Sequence, residues 1–300
     1  MRRVAIGVDI GGGSVRMGLV STNGRILVRS DFKTTDYLGR RKLLAALIRT
    51  LDGLLRVAKK KNLKVTGIGI GAPGPIDVEK GFVYFFPNIP GWKNTPLKKI
   101  LEKKIKLPVF VDNDANVMAL AEFRFGAGRG ARTLIALTLG TGIGGGLVID
   151  GKLYHGHSYS AAEIGHMVIN ENGPRCSCGN RGCVETYVGT NYFVRSSKNR
   201  KRLSPQSAAR AALRGDADAK ELWKETARHL GTALVGLVNI LNPERIVLGG
   251  GIAQSGGLLF RPLKAAIRRK AFPIAAASVK VVAAKLGMDA GIIGAATLVF

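Results

Sequence analysis

"VAIGVDIGGGSVRMGLV" (residues 4–20) is an apolar strand, a turn of glycines and a second apolar strand. Asn23-Gly24 then supplies a two-residue turn into "RILV" (25–28), since both residue types tolerate the positive φ of a tight hairpin. The pattern returns in "LIALTLGTGIGGGLVID" (134–150), with Asp150-Gly151 as the next turn. Two such units about 130 residues apart imply two related α/β halves, each a sheet opened by a glycine hairpin and covered by helices.

The intervening chain supplies those helices and further strands. Leu44, Leu47, Ile48, Leu51, Leu54 and Leu55 recur at helical spacing within 40–61. "VTGIGIG" (65–71) and "PVFVD" (108–112) read as buried strands, and Thr95-Pro96 as a cap followed by a proline at the first helical position. A long helix over 221–241 is stopped by Asn242-Pro243, and "RIVLGGG" (245–251) is a strand ending in glycines. A final helix over 289–299 returns to the first half.

Composition narrows the class. Of 300 residues, 46% are apolar, which suits a globular chain with a sizeable core. No apolar run approaches the roughly 20 residues of a membrane span, and no secretory leader is read in the opening strand. Lys and Arg number 46 against 20 acidic residues, a net charge of +26. The basic residues lie in runs at 59–64, 98–106 and 198–202 without interleaved aromatics, so a solvated surface is expected rather than specific nucleic-acid binding. The only cysteines are Cys176, Cys178 and Cys183. Three thiols cannot close a set of disulfides, so a reducing cytoplasm is expected, and a fourth ligand would be needed for a tetrahedral metal site.

The glycine hairpins suggest phosphate chemistry. Gly140 to Gly145 formally contain G-x-G-x-x-G, but a strand follows where a dinucleotide fingerprint needs a helix. Backbone N–H groups of Gly11, Gly12, Gly13, Gly140, Thr141 and Gly142 can instead converge on an anion. Asp9, at the first strand's end, is placed to hold Mg²⁺ through water, and Gly249, Gly250 and Gly251 leave flat space for an adenosine.

These pieces together resemble the ROK family of sugar kinases and sugar-responsive repressors, within the sugar kinase/Hsp70/actin superfamily. The carriers are "DIGGG" (9–13), "GIGAPGPID" (69–77), "PNIPGW" (87–92), "VDNDANVMALAE" (111–122), "LGTGIGGG" (139–146), "AAEIGH" (161–166), "CSCGNRGCVE" (176–185) and "ERIVLGGGIA" (244–253). The resemblance implies a two-lobed, actin-like ATPase (ribonuclease H-like) fold with a cleft between a smaller N-terminal and a larger C-terminal lobe. The lobes are expected at 1–115 plus 288–300 and at 116–287.

His166 lies ten residues before Cys176, so H-x9-C-x-C-x4-C offers four ligands suited to tetrahedral Zn²⁺. The family's matching residues bind a structural zinc, which would brace the loop carrying Glu163, His166 and Glu185, the residues the family turns to the sugar. The resemblance also makes Asn113 a sugar ligand and Asp114 the general base, with Gly74 and Asn88 lining the same place. A carboxylate at a strand end can take a hydroxyl proton while Mg²⁺ and hairpin N–H groups offset phosphoryl charge, although an Asp in "NDAN" also suits a helix N-cap.

The implied activity is ATP- and Mg²⁺-dependent phosphorylation of glucose at the 6-hydroxyl. Another hexose, an N-acetylhexosamine or a broad hexose set is the alternative, and a DNA-binding repressor a remote one. Such a repressor would need a winged-helix module ahead of the strand that begins at Val4. A cytoplasmic homo-oligomer, dimer or tetramer, is expected by the same resemblance. The first phosphate segment departs from the family's D-I-G-G-T: Gly13 replaces the threonine and Arg16 a lysine.

Overall fold

The computed structural model describes residues 1–196 and 203–300, so the basic run at 198–202 lies outside the described residues. Strand β1 (Arg2–Ile10) alternates large and small side chains. Val4, Ile6, Val8 and Ile10 enter one core, whereas Ala5 joins a separate cluster with Ile292 and Ala296. The glycine turn leads into β2 (Ser14–Ser21) and then β3 (Ile26–Lys33), both antiparallel. Helix α1 (Arg40–Lys60) lays Leu43, Leu47, Leu51 and Leu54 on the first core; full burial of such a side chain is worth about 1.5–3 kcal/mol.

The chain then forms β4 (Leu63–Ala72), a small hairpin set of β5 (Ile76–Asp77), β6 (Phe82–Phe85) and β7 (Lys93–Thr95), and α2 (Leu97–Ile105). Strand β8 (Val109–Asn113) and α3 (Asp114–Phe125) complete this part, and the sheet order is β3-β2-β1-β4-β8. The second sheet repeats that order as β11-β10-β9-β12-β13. Its strands are β9 (Leu134–Leu139), β10 (Ile143–Ile149), β11 (Lys152–Tyr154), β12 (Arg245–Gly249) and β13 (Lys280–Ala283). In both sheets the glycine hairpin is antiparallel and the two strands beyond it are parallel. Helices α4 (Glu185–Val188), α5 (Thr190–Ser196), α6 (Pro205–Leu213), α7 (Ala217–Leu241), α8 (Gly257–Lys270) and α9 (Pro273–Ser278) accompany the second sheet.

The last helix, α10 (Ala290–Thr297), packs on the first sheet. Its seat is made of glycine. A methyl group on Gly7 of β1 would overlap the carbonyl of Ile292, and one on Gly69 of β4 the carbonyl of Ala295. Gly294 of α10 approaches the backbone of Val117 in α3 equally closely. Backbone contacts group Met1–Arg129, Leu153–Ala161 and Met288–Phe300 as one unit, and Gly130–Lys152 with Ala162–Gly287 as the other. Helix α3 thus stays with the first unit, past the division expected after residue 115, because Gly294 seats it against α10.

Three local expectations change. The first hairpin turn holds three residues rather than two: Gly24 N–H donates to Ser21 O and Ser21 N–H to Arg25 O, and only Gly24 has positive φ (80°). Asp150-Gly151 is the tight turn foreseen, with φ of 50° and 77°. Thr95 is not a cap: it pairs with Val83, its hydroxyl donates to Lys93 O, and Pro96 itself occupies the cap position of α2. Helix α7 begins earlier than 221, because Asp216 accepts a hydrogen bond from Ala219 N–H and caps it. Among the described residues no helix is long and apolar enough to cross a membrane.

The seat of α10 predicts a sharp asymmetry among glycines. Gly69→Ala should lower unfolding free energy by about 3 kcal/mol or more. Gly13→Ala, which meets nothing within 4 Å, should stay within about 0.5 kcal/mol in the same denaturant titration.

Candidate active site

Register places the first unit's candidates on one edge. Asp9 of β1 partners Gly71 of β4, and Ala72 partners Asn113 of β8, so Asp9, the Gly74 turn and Asn113-Asp114 share the ends of three adjacent parallel strands. Strand ends of this kind are where ligands meet open α/β sheets.

In the glycine turn, Gly11 N–H donates to Ser14 O at 2.9 Å. Thr34, buried and unsuspected from the sequence, donates its hydroxyl to Gly11 O (2.7 Å) and its N–H to Gly13 O (3.1 Å). Asn88 lies beside this turn: a Cβ on Gly12 would sit 3.2 Å from Asn88 Cβ. Opposite Asp9 in the register stands Arg16, whose Nη2 is 3.4 Å from Asp9 Oδ2 and whose Nη1 donates to Met288 O. Burial raises the Asp9 carboxyl above its ordinary range, and the Arg16 charge opposes that. Arg16 thus stands as the cross-strand cation to Asp9.

At the β8–α3 junction the cap is Asn113, not Asp114. Asn113 Oδ1 accepts from Ala115 N–H (2.9 Å) and Asn116 N–H (3.4 Å), while its Nδ2 donates to Gly74 O (3.3 Å). Gly74 has φ of 87° and lies so near Phe85 O that no side chain fits. Asp114 opens α3 half-buried, its Oδ1 accepting from Ala115 N–H. Just before them lies a pair the sequence did not reveal. Buried Asp112 accepts from Asn113 N–H (2.7 Å) and Asn116 Nδ2 (2.9 Å) on Oδ1, and from His155 Nε2 (2.7 Å) on Oδ2. That hydrogen bond raises the His155 imidazole above its ordinary 6.5, against the opposing effect of burial.

The second unit builds its hairpin from close backbone contacts. Gly140 N–H donates to Gly142 O, and Gly140 O accepts both the N–H and the hydroxyl of Thr190, each at 3.0 Å. Glu185 Oε2 accepts from Ile143 N–H (2.8 Å) and fills the space a side chain at Gly142 would need. Glu185, which the family resemblance implies as a sugar contact, holds the Gly140–Gly142 hairpin. Gly250 (φ 85°) lies against the backbone of Leu139, which brings the Gly249–Gly251 segment beside the Gly140–Gly142 turn.

The four metal-ligand candidates converge. His166 Nδ1 is 3.5 Å from Cys176 Sγ and Cys178 Sγ is 3.7 Å from Cys183 Sγ, with all four donor atoms within 4.8 Å of one another. A tetrahedral zinc at usual bond lengths has donor–donor edges of about 3.8 Å, so the set fits. Burial pushes the Cys183 thiol up to about 12, whereas the Asn180 N–H lowers Cys178. The other ring nitrogen of His166, Nε2, lies 4.0 Å from the carboxylate of exposed Glu163.

Two sheets of one strand order, each opened by a glycine hairpin, are the actin-like ATPase fold. A solved ROK family glucokinase from Streptomyces griseus, in complex with glucose and AMPPNP, superposes with a TM-score of 0.81 at 34% identity, covering 98% of each chain. A ROK hexokinase from Thermus thermophilus gives 0.86 at 32% identity, covering 98% of this chain and 97% of that one. A glucokinase of Halalkalibacterium halodurans is 39% identical over 98% of this chain and 94% of its own length. The ROK family model matches residues 5–300, and the chain belongs to the ROK family.

The Asp112–His155 pair predicts a pH dependence. Because the folded-state pKa of His155 is raised, its stabilisation is fully present below the unfolded value and is lost as pH rises through the folded value. The gap in thermal midpoint between the wild type and His155→Gln should be widest near pH 6 and shrink as the pH rises in thermal melts.

Proposed function

We propose that the chain is an ATP-dependent glucokinase that transfers the γ-phosphoryl group to the 6-hydroxyl of glucose. The observation that carries this is the common edge of β1, β4 and β8. There Gly12 lies against Asn88, and Asn113-Asp114 follows two strands away, in a chain similar end to end to glucokinases. Asp114 accepts the proton of the 6-hydroxyl as that oxygen bonds to the γ-phosphorus, and the bond from phosphorus to the β–γ bridging oxygen breaks to release ADP. Asn113 supplies the cap of α3, while Asp114 accepts from Ala115 N–H through Oδ1.

Asn113 keeps a second Nδ2 hydrogen for a sugar hydroxyl, and Gly74 and Asn88 border the same place. Glu163, Glu185 and His166 Nε2 take further hydroxyls, Glu185 with the oxygen not used on Ile143. Gly11 N–H and Gly140 N–H, expected on the phosphates, are instead given to Ser14 O and Gly142 O, so the N–H groups of Gly12, Gly13, Thr141 and Gly142, with the Thr141 hydroxyl, meet the phosphates, and Gly249–Gly251 the adenosine. Mg²⁺, held by Asp9 through water, would neutralise charge on the phosphoryl oxygens. The hydroxyl absent at Gly13 is a loss of about 1 kcal/mol, and the position has room for one.

Zinc on His166 Nδ1, Cys176, Cys178 and Cys183 leaves no open position for water, so its task is to fix the loop that carries Glu163 and His166. One ring would then serve both purposes, Nδ1 on the metal and Nε2 towards the sugar.

A coupled ADP-release assay over glucose, mannose, fructose, glucosamine, N-acetylglucosamine and N-acetylmannosamine should show highest kcat/KM on glucose. Asp114→Asn should lose about 10²-fold or more of kcat. A best rate on an N-acetyl sugar would replace the substrate, and no turnover with any hexose would overturn the activity. Elemental analysis of the purified chain should find one zinc per chain, and Cys183→Ser should lose it; a metal-free wild type would refute the zinc site.

A further inference from the structure

We infer that His155 is a positioning residue for phosphoryl transfer: paired with buried Asp112, it fixes the β8–α3 turn from which Asn113 and Asp114 project. The inference rests on the reading of Asp114 as the general base.

Asp112 is 2% exposed, and its carboxylate makes three hydrogen bonds. Two of them, both on Oδ1, hold the backbone of Asn113 and the side chain of Asn116, residues that flank Asp114 on either side. The third, on Oδ2, comes from His155 Nε2, and a carboxylate oxygen can only accept there. The His155 ring is a quarter exposed, so the pair lies at the margin of the interior and its proton can exchange with solvent. The Tyr159 ring stands edge-on to it, with centroids 6.4 Å apart.

Removing the imidazole leaves one oxygen of a buried carboxylate without its donor. Such a group takes up a proton or turns towards water, and either response weakens its other bonds. The bonds at risk are those that set the peptide entering Asn113 and the first turn of α3. Asn116 marks how much the arrangement costs. Its Nδ2 is given to Asp112 while its buried Oδ1 finds no hydrogen-bond partner. An interior amide left half-satisfied needs a reason. Holding Asp112 steady beneath the base supplies one. Asp112 and His155 touch neither sugar nor nucleotide in this scheme; they act through Asn113 and Asp114.

The test compares wild type, His155→Gln, which keeps an N–H donor, and His155→Ala, which does not. Each is measured for kcat, for glucose KM and for hydrogen exchange at Asn113 N–H. A misplacement of the base by an ångström costs up to about 10²-fold, so kcat should fall about 10- to 100-fold in His155→Ala and less in His155→Gln. Glucose KM should stay within about 3-fold, since the lost interaction belongs to the transition state. Protection of Asn113 N–H should drop in the same order. Folded His155→Ala with wild-type kcat, or a loss confined to KM, overturns the inference. Should His155→Ala fail to fold, the Gln variant decides by the same two readouts. If the wild type phosphorylates no hexose, the glucokinase reading fails. Exchange at Asn113 then decides whether His155 governs the turn: lost protection upholds that part, and unchanged protection removes it.

Discussion

The backbone of α10 lies almost directly on the backbones of β1 and β4. Nothing larger than a hydrogen atom fits at Gly7 or Gly69, and Gly294 carries the same closeness across to α3. Because strand side chains alternate between faces, this demand is met without weakening the other core. Val4, Ile6, Val8 and Ile10 point to one side of β1, and Ile68, Ile70 and Ala72 to one side of β4. Their odd-numbered neighbours Ala5, Gly7, Gly69 and Gly71 are kept small for the helices. The sequences "VAIGVDI" and "GIGIGA" are thus two half-patterns, one for hydrophobic volume and one for its absence.

That alternation also decides what happens at the strand ends. Asp9 falls on the α10 face, where Gly291 leaves room for its carboxylate and Arg16 faces it from β2. A lysine at position 16 would carry the same charge, but the guanidinium bonds both Asp9 and the Met288 carbonyl. In the second unit the rule recurs with other partners. Gly142 yields to Glu185, Gly189 to Thr141 and Gly250 to Leu139. In each case a missing side chain lets one main chain or carboxylate come within bonding reach of another.

The repeated strand–glycine–strand units, the tight turn at Asp150-Gly151, the helix over 40–60 and the His166–cysteine set were all legible in the sequence, since each depends on residues close together or on spacing. Long-range pairing was not. Nothing around Asp112 announces His155, which lies 43 positions away. The family resemblance implies a sugar contact at Glu185, but its bond to Ile143 N–H needs the fold. Nothing in the sequence singles out Thr34, whose hydroxyl donates to Gly11 O only in the folded chain. Thr95 misled for a different reason: Thr-Pro is a sound local signal for a helix start, and pairing with β6 outweighed it.

The placement of α10 bears on how this chain comes into being. Gly7 and Ile292, which meet backbone to backbone, are 285 positions apart, so the first sheet cannot cover its second face until nearly all of the sequence is available. On a ribosome adding roughly 5–20 residues per second, that face waits for tens of seconds. Over that interval β1 and β4 present mostly Ala and Gly on their open side. A nascent chain has little to fear from a surface with so few side chains for a stranger to grip.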